Sequence, residues 1–214
     1  MINQSNEHPH KTSWYDGWFY AFFIDPLSGK PFSRVIKKMI NQNDTLIEIG
    51  CGTGSLAMSL APTCNSIIAV DISPKMIQYA NKLKNKGSFE NIEFRLVNAN
   101  DHLADLFDST FDGAIAKMVL HETNQTIRDQ IIHTFKKISN YAILTDWVHP
   151  QPKGIHGYIT RIIEYTAGKE HYHNFLNWCS IGGLDGFIKM HQLKTIQEKP
   201  FKDGTGKIVK VTWD

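Results

Sequence analysis

Three glycines that alternate directly behind an apolar run are the residues best suited to hold a ligand. Gly50, Gly52 and Gly54 follow the run 46–49, and residues 55–60 after them have apolar positions at helical spacing. A glycine turn between a buried strand and a helix lets the backbone come close to a ligand and presents free N–H groups. We therefore expect a ligand-binding turn here.

Acidic residues stand beside this turn and behind the next apolar run. Glu48 precedes the glycines, where packing explains a carboxylate poorly, and the run 65–71 ends in Asp71, about twenty residues further on. Ser73 and Pro74 then begin a helix, because serine caps a helix N-terminus and proline suits the first helical position. The chemistry-bearing residues thus lie at the ends of predicted strands.

The elements that position these residues alternate along the chain. Further strand-like runs cover 92–97, 111–117 and 141–146, a helix is expected from 123 to 137, and two final runs, 193–198 and 207–213, form a hairpin. Such alternation is typical of a parallel sheet covered by helices. We expect an α/β fold: a Rossmann-like, seven-stranded, mostly parallel sheet with helices on both faces and a C-terminal antiparallel strand.

Composition narrows the class of protein. The chain has 214 residues, 42% of them hydrophobic, and a formal net charge of +2, so we expect one domain and no nucleic-acid partner. Three cysteines without CxxC spacing, Cys51, Cys64 and Cys179, indicate reduced thiols. No signal peptide or bilayer-spanning run is apparent, which favours a cytoplasmic protein without stable membrane insertion.

The combination of motifs resembles class I S-adenosylmethionine-dependent methyltransferases. It comprises Glu48-x-Gly50-x-Gly52-x-Gly54, the acidic Asp71, the turn 98–100, Phe111-Asp112 and the terminal hairpin, within residues 40 to 214. The spacing GxGxG differs from the GxGxxG of dinucleotide-binding domains. The resemblance implies S-adenosyl-L-methionine as cofactor and S-adenosyl-L-homocysteine as product.

The resemblance also implies roles for individual residues. Glu48 would attract the methionine ammonium, Asp71 would accept from both ribose hydroxyls, and Ile72 and Met76 would enclose the adenine. Where the family usually carries an Asp that reads the base, this chain has Asn98-Ala99-Asn100, so Asn100 or the backbone would take that role. The full expected cofactor set is Tyr15, Tyr20, Glu48, Gly50, Cys51, Gly52, Gly54, Asp71, Ile72, Met76, Ala99, Asn100, Lys117 and Met118.

Candidates for catalysis lie where the carboxyl ends of the strands open. They are His121, Asp146 and His149; His121 is the first choice as a general base, and its alternative role is a hydrogen-bonded wall of the pocket. We expect no metal, because Asp146 and His149 lack a third ligand at suitable spacing. His171 and His173 are expected on a solvated helix face.

Aromatic segments at both ends of the chain suggest how an acceptor is held. The run 14–23 predicts an aromatic helix, either as core or as a lid, and the segment 148–178 is also rich in rings. We divide the single domain into an N-terminal helical lid (1–41), a cofactor-binding core (42–147), a helical acceptor-pocket cover (148–190) and the terminal hairpin (191–214). A small aromatic or apolar methyl acceptor is expected, as for the family's quinone- and lipid-precursor-methylating members, in a monomer or homodimer.

Other functions remain open at this point. An RNA or protein methyltransferase shares the cofactor motifs, although the residues Lys117-Met118-Val119-Leu120 are not the motif of amino-base methylation and no basic stripe is present. A nicotinamide oxidoreductase is disfavoured by the glycine spacing and the hairpin. A non-catalytic S-adenosylmethionine-binding protein would keep the glycines and Asp71 without turnover.

Overall fold

The computed structural model describes residues 32–97, Phe107 and residues 110–213. The expected aromatic helix 14–23, with Tyr15 and Tyr20, lies outside the described residues. The turn that contains Ala99 and Asn100 lies outside them as well.

Seven strands form one sheet in the order β3-β2-β1-β4-β5-β7-β6. β1 to β5 pair in parallel and β7 is antiparallel to both of its neighbours, so the predicted mostly parallel sheet is confirmed. The strands are β1 (Thr45–Ile49), β2 (Ser66–Asp71), β3 (Ile92–Leu96), β4 (Phe111–Lys117), β5 (Ser139–Trp147), β6 (Lys194–Pro200) and β7 (Gly206–Thr212).

The antiparallel strand lies one position inside the sheet rather than at its margin. β7 pairs with β5 on one side and with β6 on the other, so the hairpin returns into the sheet and leaves β6 as the outermost strand. All seven residues of β6 are exposed, and its register shifts between Thr195 and Gln197. The sequence predicts the hairpin but not this order.

Helices follow the strands, and the helix that begins at Pro74 has the serine cap predicted from the sequence. Ser73 accepts a hydrogen bond from the backbone N–H of Met76, and Asn124 accepts one from that of Ile127. A short helical segment covers 32–36. The longer helices are α1 (Ser55–Leu60), α2 (Pro74–Gly87), α3 (Gln125–Ile138), α4 (Ile155–Thr166), α5 (Lys169–Ser180) and α6 (Gly183–Met190).

The hydrophobic core lies in two layers, one on each face of the sheet. Alternate residues of the central strands divide between them: Ile47 packs with residues of α3, α5 and α6, whereas Leu46 packs with residues of the 32–36 segment, α1 and α2. Each layer buries a near-continuous apolar face, which explains why the central strands β1 and β4 are apolar at most of their positions. Among the described residues, no helix is long and apolar enough to cross a bilayer.

Candidate functional site

The glycine turn sits at the carboxyl end of β1, and its three glycines serve different needs. Gly50, Gly52 and Gly54 have φ angles of +73°, +54° and +74°, a region that favours glycine. A Cβ on Gly50 would lie 2.7 Å from Val119, and one on Gly54 would lie 2.4 Å from Phe94. Within the described part of the chain, a Cβ on Gly52 would meet no atom within 4 Å. Packing therefore requires glycine at the outer two positions, while Gly52 borders open space.

Asp71 connects this turn to the end of β2. Its Oδ2 accepts a hydrogen bond from the backbone N–H of Gly52 at 2.7 Å, and its Oδ1 accepts one from that of Ser73 at 2.9 Å. Burial raises the pKa of Asp71 above its usual value, and the N–H groups of Ser73 and Gly52 act in the opposite direction. Each carboxylate oxygen retains a lone pair for a further donor such as a ribose hydroxyl.

Two other expected cofactor residues, Glu48 and Cys51, lie at the same turn. Glu48 is buried in β1 between Ala69 of β2 and Ile115 of β4. Burial, and then the charges of Glu48 and Asp71, raise the pKa of the buried Cys51 thiol, which disfavours its reactive thiolate form.

Beyond Asp71 the chain presents apolar side chains to the outside. Ile72 is 55% exposed, and Met76 is half-buried in the first turn of α2. Ile72 is a large apolar side chain left uncovered directly beside the carboxylate that faces the glycine turn. An aromatic ring placed against it would remove that surface from water.

The loop behind β4 brings a second group of residues to the same end of the sheet. Lys117 ends β4 opposite Thr145 of β5, and Met118 adopts a left-handed conformation with φ of +55°. The backbone N–H of Met118 donates to the carbonyl of Thr145 at 2.7 Å. A non-glycine residue in this conformation costs energy and is held by its surroundings, here at the point where β4 opens into the loop.

His121 of this loop and Asp146 of β5 form a buried pair. Nδ1 of His121 lies 2.7 Å from Oδ1 of Asp146. The carboxylate also accepts hydrogen bonds from the backbone N–H groups of Leu120, His121 and Trp147, at 3.0, 3.3 and 2.7 Å. Asp146 thus fixes both the loop and the orientation of the imidazole, and it has no exposed surface of its own.

The protonation state of His121 bears on its expected role. Burial alone would lower the pKa of His121, but the charges of Asp146 and Glu164 raise it to about 10. At neutral pH the ring therefore carries both protons unless another cation takes their place. A protonated ring donates hydrogen bonds and cannot accept a proton from an acceptor.

His149, the third expected catalytic residue, lies just after β5. It follows Val148, which forms a single bridge with Gly183 at the start of α6. Its ring Nδ1 is buried and makes no hydrogen bond within the described part of the chain. His121 and Asp146 therefore contact each other, whereas Nδ1 of His149 makes no hydrogen bond to either of them.

Two helices of the 148–190 segment contribute residues that sequence reasoning missed. Glu164 of α4 is buried; its Oε2 lies 2.5 Å from Nε2 of His171, and its Oε1 accepts a hydrogen bond from the indole N–H of Trp147 at 2.8 Å. The expectation of a solvated His171 is wrong, whereas His173 is exposed as expected. No spacing pattern links Glu164 to His121, so no sequence signal could have found this contact.

Arg128 is a further residue that sequence reasoning missed. Buried in α3, it donates from Nε to the carbonyl of Leu120 at 2.7 Å, from Nη1 to Asn177 at 2.8 Å and from Nη2 to the carbonyl of Asn174 at 2.9 Å. Burial lowers the pKa of Arg128 to about 10. One guanidinium therefore joins the loop behind β4 to α5.

A family model described as a methyltransferase domain matches residues 40–177, and the chain belongs to that family. The match spans the glycine turn, the loop behind β4 and most of α5. The resemblance to S-adenosylmethionine-dependent methyltransferases stated from the sequence is therefore confirmed at the level of the family.

Curated relatives are distant and longer. The tRNA (guanine-N(7)-)-methyltransferase of Clostridium novyi (strain NT) is 26% identical over 109 residues, which cover 50% of this chain and 48% of that protein. The uncharacterized methyltransferase C70.08c of Schizosaccharomyces pombe is 26% identical over 89 residues, covering 41% of this chain and 34% of that protein. The chain thus spans half or less of the length of these relatives.

Solved structures resemble the chain over most of its length. The PH0226 protein from Pyrococcus horikoshii OT3 superposes with a TM-score of 0.69 at 15% identity, covering 92% of this chain and 98% of that one. The N-methyltransferase NodS from Bradyrhizobium japonicum WM9, solved in complex with S-adenosyl-L-homocysteine, gives a TM-score of 0.59 at 15% identity, with coverages of 87% and 90%. At these identities the likeness establishes the fold.

Proposed function

We propose that this chain binds S-adenosyl-L-methionine at the glycine turn and transfers its methyl group to a small-molecule acceptor, releasing S-adenosyl-L-homocysteine. The observation that carries the proposal is the contact between Gly52 and Asp71. It joins the backbone of Gly52, which borders open space, to a carboxylate that can accept further hydrogen bonds. A cofactor with a ribose and a close-lying chain needs both features in one place.

The other residues of the turn fit the remaining parts of this cofactor. The buried Glu48 supplies negative charge for the methionine ammonium, and the turn supplies backbone N–H groups for its carboxylate. The exposed Ile72 and the half-buried Met76 offer apolar surface to the adenine. Lys117 and Met118, at the end of β4, border the side of the turn opposite to Asp71. The roles proposed for Tyr15, Tyr20, Ala99 and Asn100 rest on the sequence.

The bound cofactor would supply an activated methyl group, whose carbon bonds to the acceptor while the carbon–sulfur electron pair returns to sulfur. The protein's main contribution is alignment, which can lower such a barrier by roughly 7 to 11 kcal/mol. A hydroxyl acceptor must also lose a proton. The loop that contains His121, with its partner Asp146 of β5, lies at the same end of the sheet as the turn, and we propose it as one wall of the acceptor pocket.

We propose an aromatic or apolar acceptor, as in the family's quinone- and lipid-precursor-methylating members. Helix α4 supports this proposal, because Ile155, Tyr158 and Ile162 are exposed along it at helical spacing. We propose the 148–190 segment, which contains α4, α5 and α6, as the cover of the acceptor pocket.

RNA is the second candidate acceptor. The observation in its favour is that several relatives carry names of RNA methyltransferases, including the tRNA (guanine-N(7)-)-methyltransferase of Clostridium novyi (strain NT). The net charge of +2 supplies no strong electrostatic attraction for a polyanion. For this reason small molecules remain the first choice.

Calorimetric titration of S-adenosyl-L-methionine and S-adenosyl-L-homocysteine tests cofactor binding. We expect the wild-type chain to bind both, and Gly52→Ala to weaken both by at least about tenfold, because the added methyl group enters space that the ligand needs. Gly204→Ala is the matched control: Gly204 also has a positive φ, +73°, and a Cβ there would touch only Pro152 at 4.0 Å. Both variants carry a similar backbone cost, of about 1 to 2 kcal/mol.

Two results would overturn the proposal: no binding by the wild-type chain, or equal affinities in the two variants. Thermal melting of both variants without ligand checks that they fold alike. Release of S-adenosyl-L-homocysteine is then followed over quinones, phenols, amines, lipid headgroups and bulk tRNA. Turnover with tRNA alone would select the second candidate, and binding without turnover on any acceptor would favour a non-catalytic cofactor-binding protein.

A further inference from the structure

Four metal-ligating side chains from three segments meet behind β4. His121 and Glu122 come from the loop that follows β4, Glu164 comes from the last turn of α4, and His171 comes from the first turn of α5. One ligand atom each from His121, Glu122 and His171 lie within 4.8 Å of one another. Residues that are far apart in sequence thus present two imidazoles and a carboxylate to one point.

The distances are close to those of a metal site. Nε2 of His121 lies 3.5 Å from Oε1 of Glu164 and 3.8 Å from Oε1 of Glu122. Ligand atoms in a tetrahedral zinc site, at about 2.1 Å from the ion, lie about 3.4 Å from one another. Small side-chain movements would therefore bring this set to an ion.

The buried members of the cluster are held from behind. Nδ1 of His121 is bonded to Asp146, which leaves Nε2 directed at the cluster. Metal-binding histidines are commonly oriented in this way, by a carboxylate on the other ring nitrogen. Glu164 is fixed similarly, since its Oε1 accepts from the indole of Trp147. Such supports reduce the entropy that ligand side chains lose when an ion binds.

Charge and access also suit a cation. Asp146, Glu122 and Glu164 place three carboxylates around His121, whose side chain is 3% exposed. Inside such a site a divalent cation would be attracted strongly, because little water screens it. The side chains of Glu122 and His171 are 34% and 15% exposed, so the cluster opens to solvent on their side and an ion has a path of entry.

We infer that His121, Glu122 and His171, with Glu164 beside them, form a binding site for a divalent first-row transition ion of which Zn²⁺ is the best-fitting example. Two imidazoles and carboxylates suit Zn²⁺, whereas Mg²⁺ and Ca²⁺ prefer sets of oxygen ligands. From the sequence we expect no metal, because Asp146 and His149 lack a third ligand at suitable spacing. In this site Asp146 acts behind His121, and His149 takes no part.

The test uses the full chain, freed of metal with a chelator and titrated with Zn²⁺ by calorimetry. We expect one equivalent of Zn²⁺ to bind with micromolar or tighter affinity, and Mg²⁺ at millimolar concentration not to displace it. His171→Ala should weaken binding by at least about tenfold, as losses around metal sites commonly do. His173→Ala is the matched control, because His173 is an exposed histidine two residues away on the same helix.

Co²⁺ provides a second readout that does not depend on affinity alone. Its visible absorption reports ligation by imidazole, and we expect a band in the wild-type chain and in His173→Ala that His171→Ala loses. Because His171 is partly exposed, this variant should fold, which melting without metal verifies. No stoichiometric Zn²⁺ binding by the wild-type chain, or equal binding by the two variants, would show that the cluster is a set of hydrogen-bonded ion pairs only.

Discussion

His121 and Asp146 are joined across 2.7 Å between Nδ1 and Oδ1, with neither side chain open to solvent. The same carboxylate holds three backbone N–H groups, so it organises the whole loop behind β4. Removing one partner of a buried ion pair leaves the other charge uncompensated in a poorly hydrated place. The conformation of the loop therefore depends on both residues of the pair being present.

Asp146→Asn should lower the free energy of unfolding by about 3 kcal/mol, since breaking a buried pair costs roughly 3 to 5 kcal/mol. Urea denaturation of the purified chain measures the change. Asp203→Asn is the control: Asp203 also accepts from a backbone N–H, that of Thr205 at 3.0 Å, but it lies in the loop of the terminal hairpin. A loss in the Asp203 variant as large as that in the Asp146 variant would contradict the special role of this pair.

Asp71→Asn should weaken binding of S-adenosyl-L-methionine and of adenosine by about tenfold to a hundredfold. A hydrogen bond to a charged carboxylate contributes roughly 1.5 to 3 kcal/mol. The amide of asparagine has only one acceptor oxygen, so part of this contribution is lost. Calorimetry with the two ligands measures the effect. Because methionine lacks the ribose, its weak binding should not change. An effect on methionine as large as that on adenosine would exclude ribose recognition by Asp71.

Ile72→Ala should weaken cofactor binding about fivefold to tenfold and leave stability unchanged to within about 0.5 kcal/mol. The reason is that Ile72 is 55% exposed in the free protein and gains its burial only against a ligand. Ile196→Ala is the matched control, because Ile196 is 58% exposed on β6, at the other side of the sheet. Equal cofactor affinities for the two variants would remove Ile72 from the adenine site.

Asp112 should stabilise the fold above about pH 4 and lose that effect in acid. Hydrogen bonds from the N–H and the hydroxyl of Thr45, both 2.7 Å to Oδ2, lower the pKa of Asp112. A folded-state pKa below the unfolded value of about 3.9 gives stability that is present above that value and is lost as pH falls through the folded pKa.

Asp112→Asn should accordingly destabilise the chain by about 1 kcal/mol at pH 7, since the carboxyl is partly exposed and screened by solvent. The difference from wild type should close as the pH falls through the folded-state pKa of Asp112. Thermal melting from pH 2 to 7 measures both limits. Glu90→Gln, which removes an exposed carboxyl near β3, is the control. A constant difference at every pH would exclude the proposed origin of the effect.

The sequence predicts the sheet well because its signals are local. Each strand is a short apolar run, and Ser73, Pro74 and the alternating glycines mark the helix starts and turns within a few residues. The order of the last three strands is not local. It depends on β7 pairing with β5 rather than adding beyond β6, and both arrangements satisfy the same alternation of side chains.

The residues of the candidate site likewise divide into those that the sequence predicts and those that it does not. Gly52 and Asp71 are found from the sequence because a strand, a turn and the next strand place them together in every fold of this type. Glu164 and His171 come from helices whose packing on the sheet follows from many weak apolar contacts. No pattern in the sequence orients those helices, so the charged residues that they bring to His121 could not be anticipated.

The outermost strand β6 limits how copies of the chain can associate through this edge of the sheet. An open strand exposes unpaired backbone groups that another chain could join, but β6 carries Lys194, Lys199 and Pro200 and an irregular register. Charged side chains, a residue without N–H and a distorted strand all oppose such joining. Continuous growth of the sheet from molecule to molecule is therefore disfavoured at this margin, which protects the folded chain from strand-mediated aggregation at high concentration.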